Sequence, residues 1–354
     1  MQPSLSLRLA VFLLSSLLPV FAQQPDATPA HEQQTPILAP TLSIERDPVA
    51  SPDPADAAVI RKQGEGYVLT TEVDEVVLNA TVLEGTRNVA DLKKEDFQIF
   101  EDGVRQKILS FQHNDLPVSI ALVVDNSGSM ASKRPSVNKA ALDLIEASNP
   151  EDEAFVVNFS DESYLDQDFT SDVGKLRQGL AHIDSRGGTA LRDAIVASAD
   201  KLAAEAKHSK QIIILITDGE DNASTLSREQ TIRRVQRLSG PAIYTIGLLF
   251  GAEMSHSEVK NAREELKMLS TETGGVAFFP KNIEQIDEIA AEVARDIRSQ
   301  YTLGYHSGKA PGDQNFRKIE VTAEAKGRGK LSVRTRTGYF PSPVQSHSTP
   351  PTPR

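Results

Sequence analysis

Between residues 116 and about 300, short and nearly continuous apolar runs alternate with longer amphipathic stretches. The runs are Val118–Val124, Ala154–Phe159, Gln211–Ile216 and Ala242–Ile246. Runs this short and this apolar predict strands covered on both faces, as in a parallel sheet under two layers of helices. The stretches 136–148, 172–183, 190–206, 227–238 and 258–272 predict helices. A last helix is predicted over 283–300, where Ile286, Ile289, Val293 and Ile297 fall on one stripe at helical spacing. Alternating strands and helices predict an α/β fold with a doubly wound, mostly parallel, Rossmann-like sheet.

The flanks carry a different rhythm. From Tyr67 to His113 the apolar positions Val73, Val76, Val77, Leu78, Ala80 and Val82 read as strand. Phe97–Phe100 and Gln106–Phe111 bracket Glu101-Asp102-Gly103, a hairpin signal because glycine accepts the positive φ of a tight turn. Strands return at Tyr301–Tyr305, Phe316–Val321 and Lys330–Thr335. Neither set makes a good domain by itself. The expectation is that segments 63–115 and 301–340 join in one small β-sandwich, with the α/β domain at 116–300 inserted in it. Two independent β subdomains are the alternative.

Pro25, Pro29, Pro36, Pro40, Pro48, Pro52 and Pro54 fall in 23–62, with few aromatics. Such a segment has too little apolar surface to order itself and is expected to be a disordered linker. The tail at 341–354 holds five more prolines and has the same character. At the start, Arg8 precedes the apolar run Leu9–Leu18, Pro19 breaks it, and Val20-Phe21-Ala22 offers a small-residue cleavage site. Residues 1–22 therefore read as an export signal, too short for a comfortable span, with an uncleaved anchor as the alternative. The mature chain is expected to be periplasmic, secreted or on the cell surface, with no transmembrane segment.

The chain has 354 residues and no cysteine, which removes disulfides, thiolate metal sites and cysteine nucleophiles. Its net charge of -11 argues against a nucleic-acid partner. The histidines are scattered without metal-ligand spacing.

The candidate chemistry lies where strands end. Asp125, Ser127 and Ser129 follow the first α/β strand, Asp218 follows the strand ending at Ile216, and Thr189 opens the helix of 190–206 after Gly187-Gly188. Ligands of doubly wound sheets bind outside the carboxyl ends of the strands, so three such loops can meet at one point. Two carboxylates and three hydroxyls are hard oxygen donors suited to a divalent cation. Each fragment alone also reads as a helix cap, a loop or a turn. Their order, spacing and strand context together favour a metal site.

With these residues in view, Asp125-x-Ser127-x-Ser129, Thr189 and Asp218 resemble the metal-ion-dependent adhesion site of von Willebrand factor type A domains, over about 116–300. Asp96–Gly103 with Gln106, and the ending Arg336–Phe340, resemble the flanks of the bacterial, acidobacterial-type members of that family, over about 67–340. The resemblance implies Mg²⁺, with Mn²⁺ or Ca²⁺ as substitutes. Ser127, Ser129 and Thr189 would bind the metal directly, and Asp125 and Asp218 mainly through water. A Glu or Asp of a protein ligand would take the open position. The implied function is a non-enzymatic binding module with no catalytic residues. A metal-assisted hydrolase and a structural component of the cell envelope are the alternatives. Glu220, Asp221 and Asn222 read as a solvated acidic loop, with tuning of the site or selection of the partner as the alternative.

Overall fold

The computed structural model describes residues 39–44, 75–183, 186–238, 240–250, 254–309 and 313–341. The segment 1–22 expected to be an export signal, most of the expected linker and the tail after 341 lie outside the described residues, as does Val73. No helix among the described residues is long and apolar enough to cross a membrane.

The chain enters through β1 (Glu75–Glu84), β2 (Arg87–Asn88), β3 (Phe97–Glu101), β4 (Val104–Gln106) and β5 (Ile108–Gln112). The central part then runs β6 (Val118–Asp125), α1 (Arg134–Glu146), β7 (Glu153–Phe159), β8 (Ser163–Thr170), α2 (Val173–Leu180), α3 (Leu191–Glu205) and β9 (Lys210–Thr217). It continues through α4 (Arg228–Arg237), β10 (Ala242–Gly247), α5 (His256–Thr273), β11 (Ala277–Phe278) and α6 (Ile286–Arg298). It leaves through β12 (Tyr301–His306), β13 (Arg317–Ala323), β14 (Leu331–Arg334) and β15 (Gly338–Tyr339).

The central sheet has the order β11-β10-β9-β6-β7-β8. Every pair in it is parallel except β7 with β8. Every residue of β6 is buried, which explains its unbroken apolar run. Ile120, Leu122, Val124, Ile212, Ile214 and Ile216 belong to the core shared with α1, α2 and α6. Ala121, Val123, Ile213 and Leu215 belong to the opposite core, shared with α3, α4 and α5. The chain leaves β6 for the first face and β9 for the second. The switch between faces therefore falls between the carboxyl ends of β6 and β9, where a crevice is expected.

The flanking strands form two antiparallel sheets. One has the order β14-β1-β12-β5, with β2 beside β1; the other runs β15-β13-β3-β4. Strands from before and after the α/β region pair directly, from Glu75 opposite His306 to Ala80 opposite Tyr301. One core unites the sheets, including Leu78, Val82, Phe97, Ile99, Tyr301 and Ile319. The tight turn between β3 and β4 has positive φ at Asp102 and Gly103, 48° and 80°, as the Asp-Gly signal predicts.

The run at 106–111, expected to be one hairpin strand, is two. β4 pairs with β3 in one sheet, and β5 pairs with β12 in the other. Crossing between sheets at Lys107 lets Ile108 enter the core. Strand β8, polar and half-exposed, has no counterpart in the sequence reading. Ser43 lies along its outer edge, donating to the Ser163 carbonyl at 2.8 Å and accepting from the Leu165 amide at 2.8 Å.

Lys210 carries a buried charge where β9 begins. Its ammonium donates to the Ile297 carbonyl in α6, and burial pushes its pKa down to about 8 from the ordinary 10.5. The folded state sheds this proton at lower pH than the unfolded chain does. The penalty is thus full below about pH 8 and disappears as pH rises past 10.5, a gain of about 3 kcal/mol. Lys210→Met is expected to lose this rise. Urea unfolding of both proteins at pH 7.5 to 10.5, compared as a difference, measures it.

Candidate metal centre

Asp125 is the last residue of β6 and is fully buried. Its Oδ1 accepts from the Ser127 amide at 2.8 Å, which folds the Asp-x-Ser turn back on the strand end. Its Oδ2 accepts from the Thr217 hydroxyl at 2.5 Å, bridging to the end of β9. Burial raises the Asp125 carboxyl to about 6, so the fold holds this anion under tension unless a cation offsets it.

Ser127 and Ser129 bring their hydroxyl oxygens within 3.2 Å of each other. Ser129 Oγ donates to Asp218 Oδ1 at 2.7 Å, 89 residues away in sequence. Asp218 Oδ2 pairs with the Lys133 ammonium from the loop before α1. The Asp218 side chain is 1 % exposed and that of Lys133 19 %, so the pair sits at the floor of a crevice.

Thr189 reaches the same place by another route. A Cβ added at Gly219 would stand 3.5 Å from Thr189 Oγ1. The Thr189 amide donates to Asn222 Oδ1 at 2.9 Å, and its carbonyl accepts from the amides of Asn222 and Ala223. The loop before it is drawn in by Asp161, whose Oδ1 accepts from the Gly188 amide at 2.7 Å. Gly187 has φ +81°, and a Cβ there would meet Asp161 Oδ2 at 2.2 Å. Only glycine combines that φ with that approach. Gly187→Ala is expected to destabilise the protein by about 1–3 kcal/mol and to weaken divalent-ion binding by displacing Thr189. Thermal melts with and without Mg²⁺ separate the two effects.

Ser127, Ser129, Thr189 and Asp218 line one cleft of about 770 Å³. Asp125 lies behind it. Structure thus brings together all five side chains that the sequence singles out. Sequence reasoning missed the supports: Thr217, Lys133, Asp161 and the buried Arg134. Arg134 donates to Asn158 Oδ1 at 2.7 Å, to the Leu180 carbonyl at 3.0 Å and to the Asp125 carbonyl at 3.4 Å. It reads in sequence as an ordinary surface charge, and no local signal marks it.

Within the 220–222 loop, Asp221 departs from the solvated reading, while Asn222 is exposed as expected. Asp221 accepts from the Arg192 amide at 2.8 Å and from the Ser224 hydroxyl at 2.6 Å, and its side chain is 2 % exposed. It satisfies a free amide at the start of α3. Asn222 holds Thr189, as above. Both act as braces for the site's loops.

Residues 120–220 match the family model for the von Willebrand factor type A domain, covering β6 to the Asp218 loop. This segment is a von Willebrand factor type A domain. Solved structures similar to the chain include a von Willebrand factor type A protein from Catenulispora acidiphila, at 12% identity and TM-score 0.44, over 71% of this chain and 76% of that one. The corresponding domain of the pilus tip protein Mfa5 from Porphyromonas gingivalis has 15% identity and TM-score 0.41, over 52% and 97%. Proximal thread matrix protein 1 from the mussel byssus, with a zinc-occupied MIDAS motif, has 19% identity and TM-score 0.42, over 57% of this chain. The chain spans half the length of that mussel protein, 50%. Comparison with curated protein sequences returns no match.

Proposed function

We propose that the A domain binds a divalent cation, Mg²⁺ foremost, and uses it to engage a carboxylate of a protein ligand outside the cytoplasm. The observation that carries this reading is the meeting of Ser127, Ser129 and Asp218 oxygens at the switch between β6 and β9. Thr189 lines the same cleft and Asp125 is buried behind it. The donor set fits the ion chemically: hard oxygens, two of them anionic, with a raised Asp125 carboxyl that a cation would relieve. When bound, the ion supplies a Lewis-acidic position for an incoming carboxylate oxygen. This chain's residues fix the donors and open the cleft on one side.

The Ser127 and Ser129 hydroxyls bond to each other and to the Asp125 and Asp218 carboxylates. That arrangement suits ligation of a cation better than activation of a nucleophile by a neighbouring base. The reading is therefore of a binding module without catalysis, exported by residues 1–22. Its test is affinity capture from native cell envelope and medium, using the mature chain with Mg²⁺, with EDTA, and with Asp125→Ala. A protein retained only by the metal-loaded parent is the expected result. Equal retention in all three would make any bound ion structural.

A further inference from the structure

The ion-binding end fills only part of its cleft. The opposite wall is apolar and is formed by Leu249, Phe250, Met254, Val259 and Ile283. Each is half-buried, and Phe250 and Ile283 rest on the core beneath α1 and α6. The wall is therefore firmly seated at these two positions. Lys133 joins the two halves: its ammonium pairs with Asp218 and stands 5.8 Å from the Phe250 ring centroid.

Resting on the metal-bridged reading above, we infer that the cleft selects an acidic residue with a large apolar side chain beside it in the ligand. Charge complementarity sets the acidic half. With a divalent ion present, Asp125, Asp218 and Lys133 leave one positive charge at the floor, which one carboxylate neutralises. Glu220 and Glu258 line the same cleft and oppose a second acidic group. The apolar half follows from the wall. A side chain covering Phe250 and Ile283 removes apolar surface on both partners from water. A cleft of about 770 Å³ has room for two neighbouring side chains and matches the size of ordinary ligand sites. The occupant is thus an exposed segment of a partner protein bearing Asp or Glu next to Leu, Ile, Met or Phe.

The test is selection from a phage library of random seven-residue peptides on the immobilised mature chain in Mg²⁺, eluted with EDTA. The parent is expected to enrich peptides with a single Asp or Glu and a large apolar residue within two positions of it. Phe250→Ser and Ile283→Ser are expected to keep the Mg²⁺ affinity of the parent, which also shows they are folded. Both should reduce retention of the enriched peptides by about fivefold or more and lose the apolar preference. Enrichment of acidic peptides with no apolar neighbour, or variants that behave as the parent, would overturn this inference and leave the metal-bridged reading standing. Absence of any EDTA-eluted peptide would overturn both.

Discussion

Asp218→Ala is expected to weaken Mg²⁺ binding by about ten- to a hundredfold, read by isothermal titration calorimetry at constant pH. Two effects act in the same direction. The substitution removes an anionic donor whose Oδ1 fixes Ser129 at 2.7 Å. It also leaves the Lys133 ammonium, paired with Asp218 in the parent, as an unbalanced cation beside the ion. Asp218→Asn keeps the shape and loses the charge, so it is expected to fall nearly as far. The parent should gain about 2.7 kcal/mol of stability at a hundred times its dissociation constant, and the Asp218 variants should gain less at that concentration. A loss below about fivefold in the alanine variant would place the ion elsewhere.

Arg134→Ala is expected to cost about 3–5 kcal/mol of folding stability, from a large-to-small change in the core together with unsatisfied buried acceptors. Arg134 is fully buried. Its guanidinium connects the Asp125 carbonyl, Asn158 and the Leu180 carbonyl, and Asn158 passes the bond on to Asp166 at 2.7 Å. Removal leaves buried acceptors without donors, opens a cavity, and frees the end of β6 from α2. Arg134→Met fills most of the volume without restoring the bonds and should cost less than the alanine variant. Urea unfolding with equal slopes for the three proteins measures both. If the alanine variant lost under about 1 kcal/mol, the network would not brace the site.

Much of this architecture is legible in the sequence because burial there leaves a strong mark. β6, β7 and β10 are fully buried, and β9 is buried at every position but Gln211, so their apolar runs stand out. The stripe Ile286, Ile289, Val293 and Ile297 marks α6 because one face meets the core. β8 left no such mark, since as an outer strand it mixes Asp166, Gln167 and Asp168 with its apolar residues. The division of 106–111 between two sheets escaped because no turn residue marks the crossing at Lys107. The five site residues are legible because they sit at strand ends and beside glycines. Their braces are not. Thr217 reads as one more strand residue, and Lys133 and Arg134 as solvated charges. Their roles depend on contacts 92, 85 and 24 residues distant in sequence, and local pattern carries no record of such contacts.

The most direct measurement is anomalous diffraction from crystals of the mature chain soaked in Mn²⁺, a substitute for Mg²⁺ at sites of this kind. The account predicts one strong peak in the cleft, bounded by Ser127, Ser129, Thr189 and Asp218 with Asp125 behind it, with a position open to solvent or to an added carboxylate. A peak outside this cleft, or none at Mn²⁺ concentrations that saturate such sites, would contradict it.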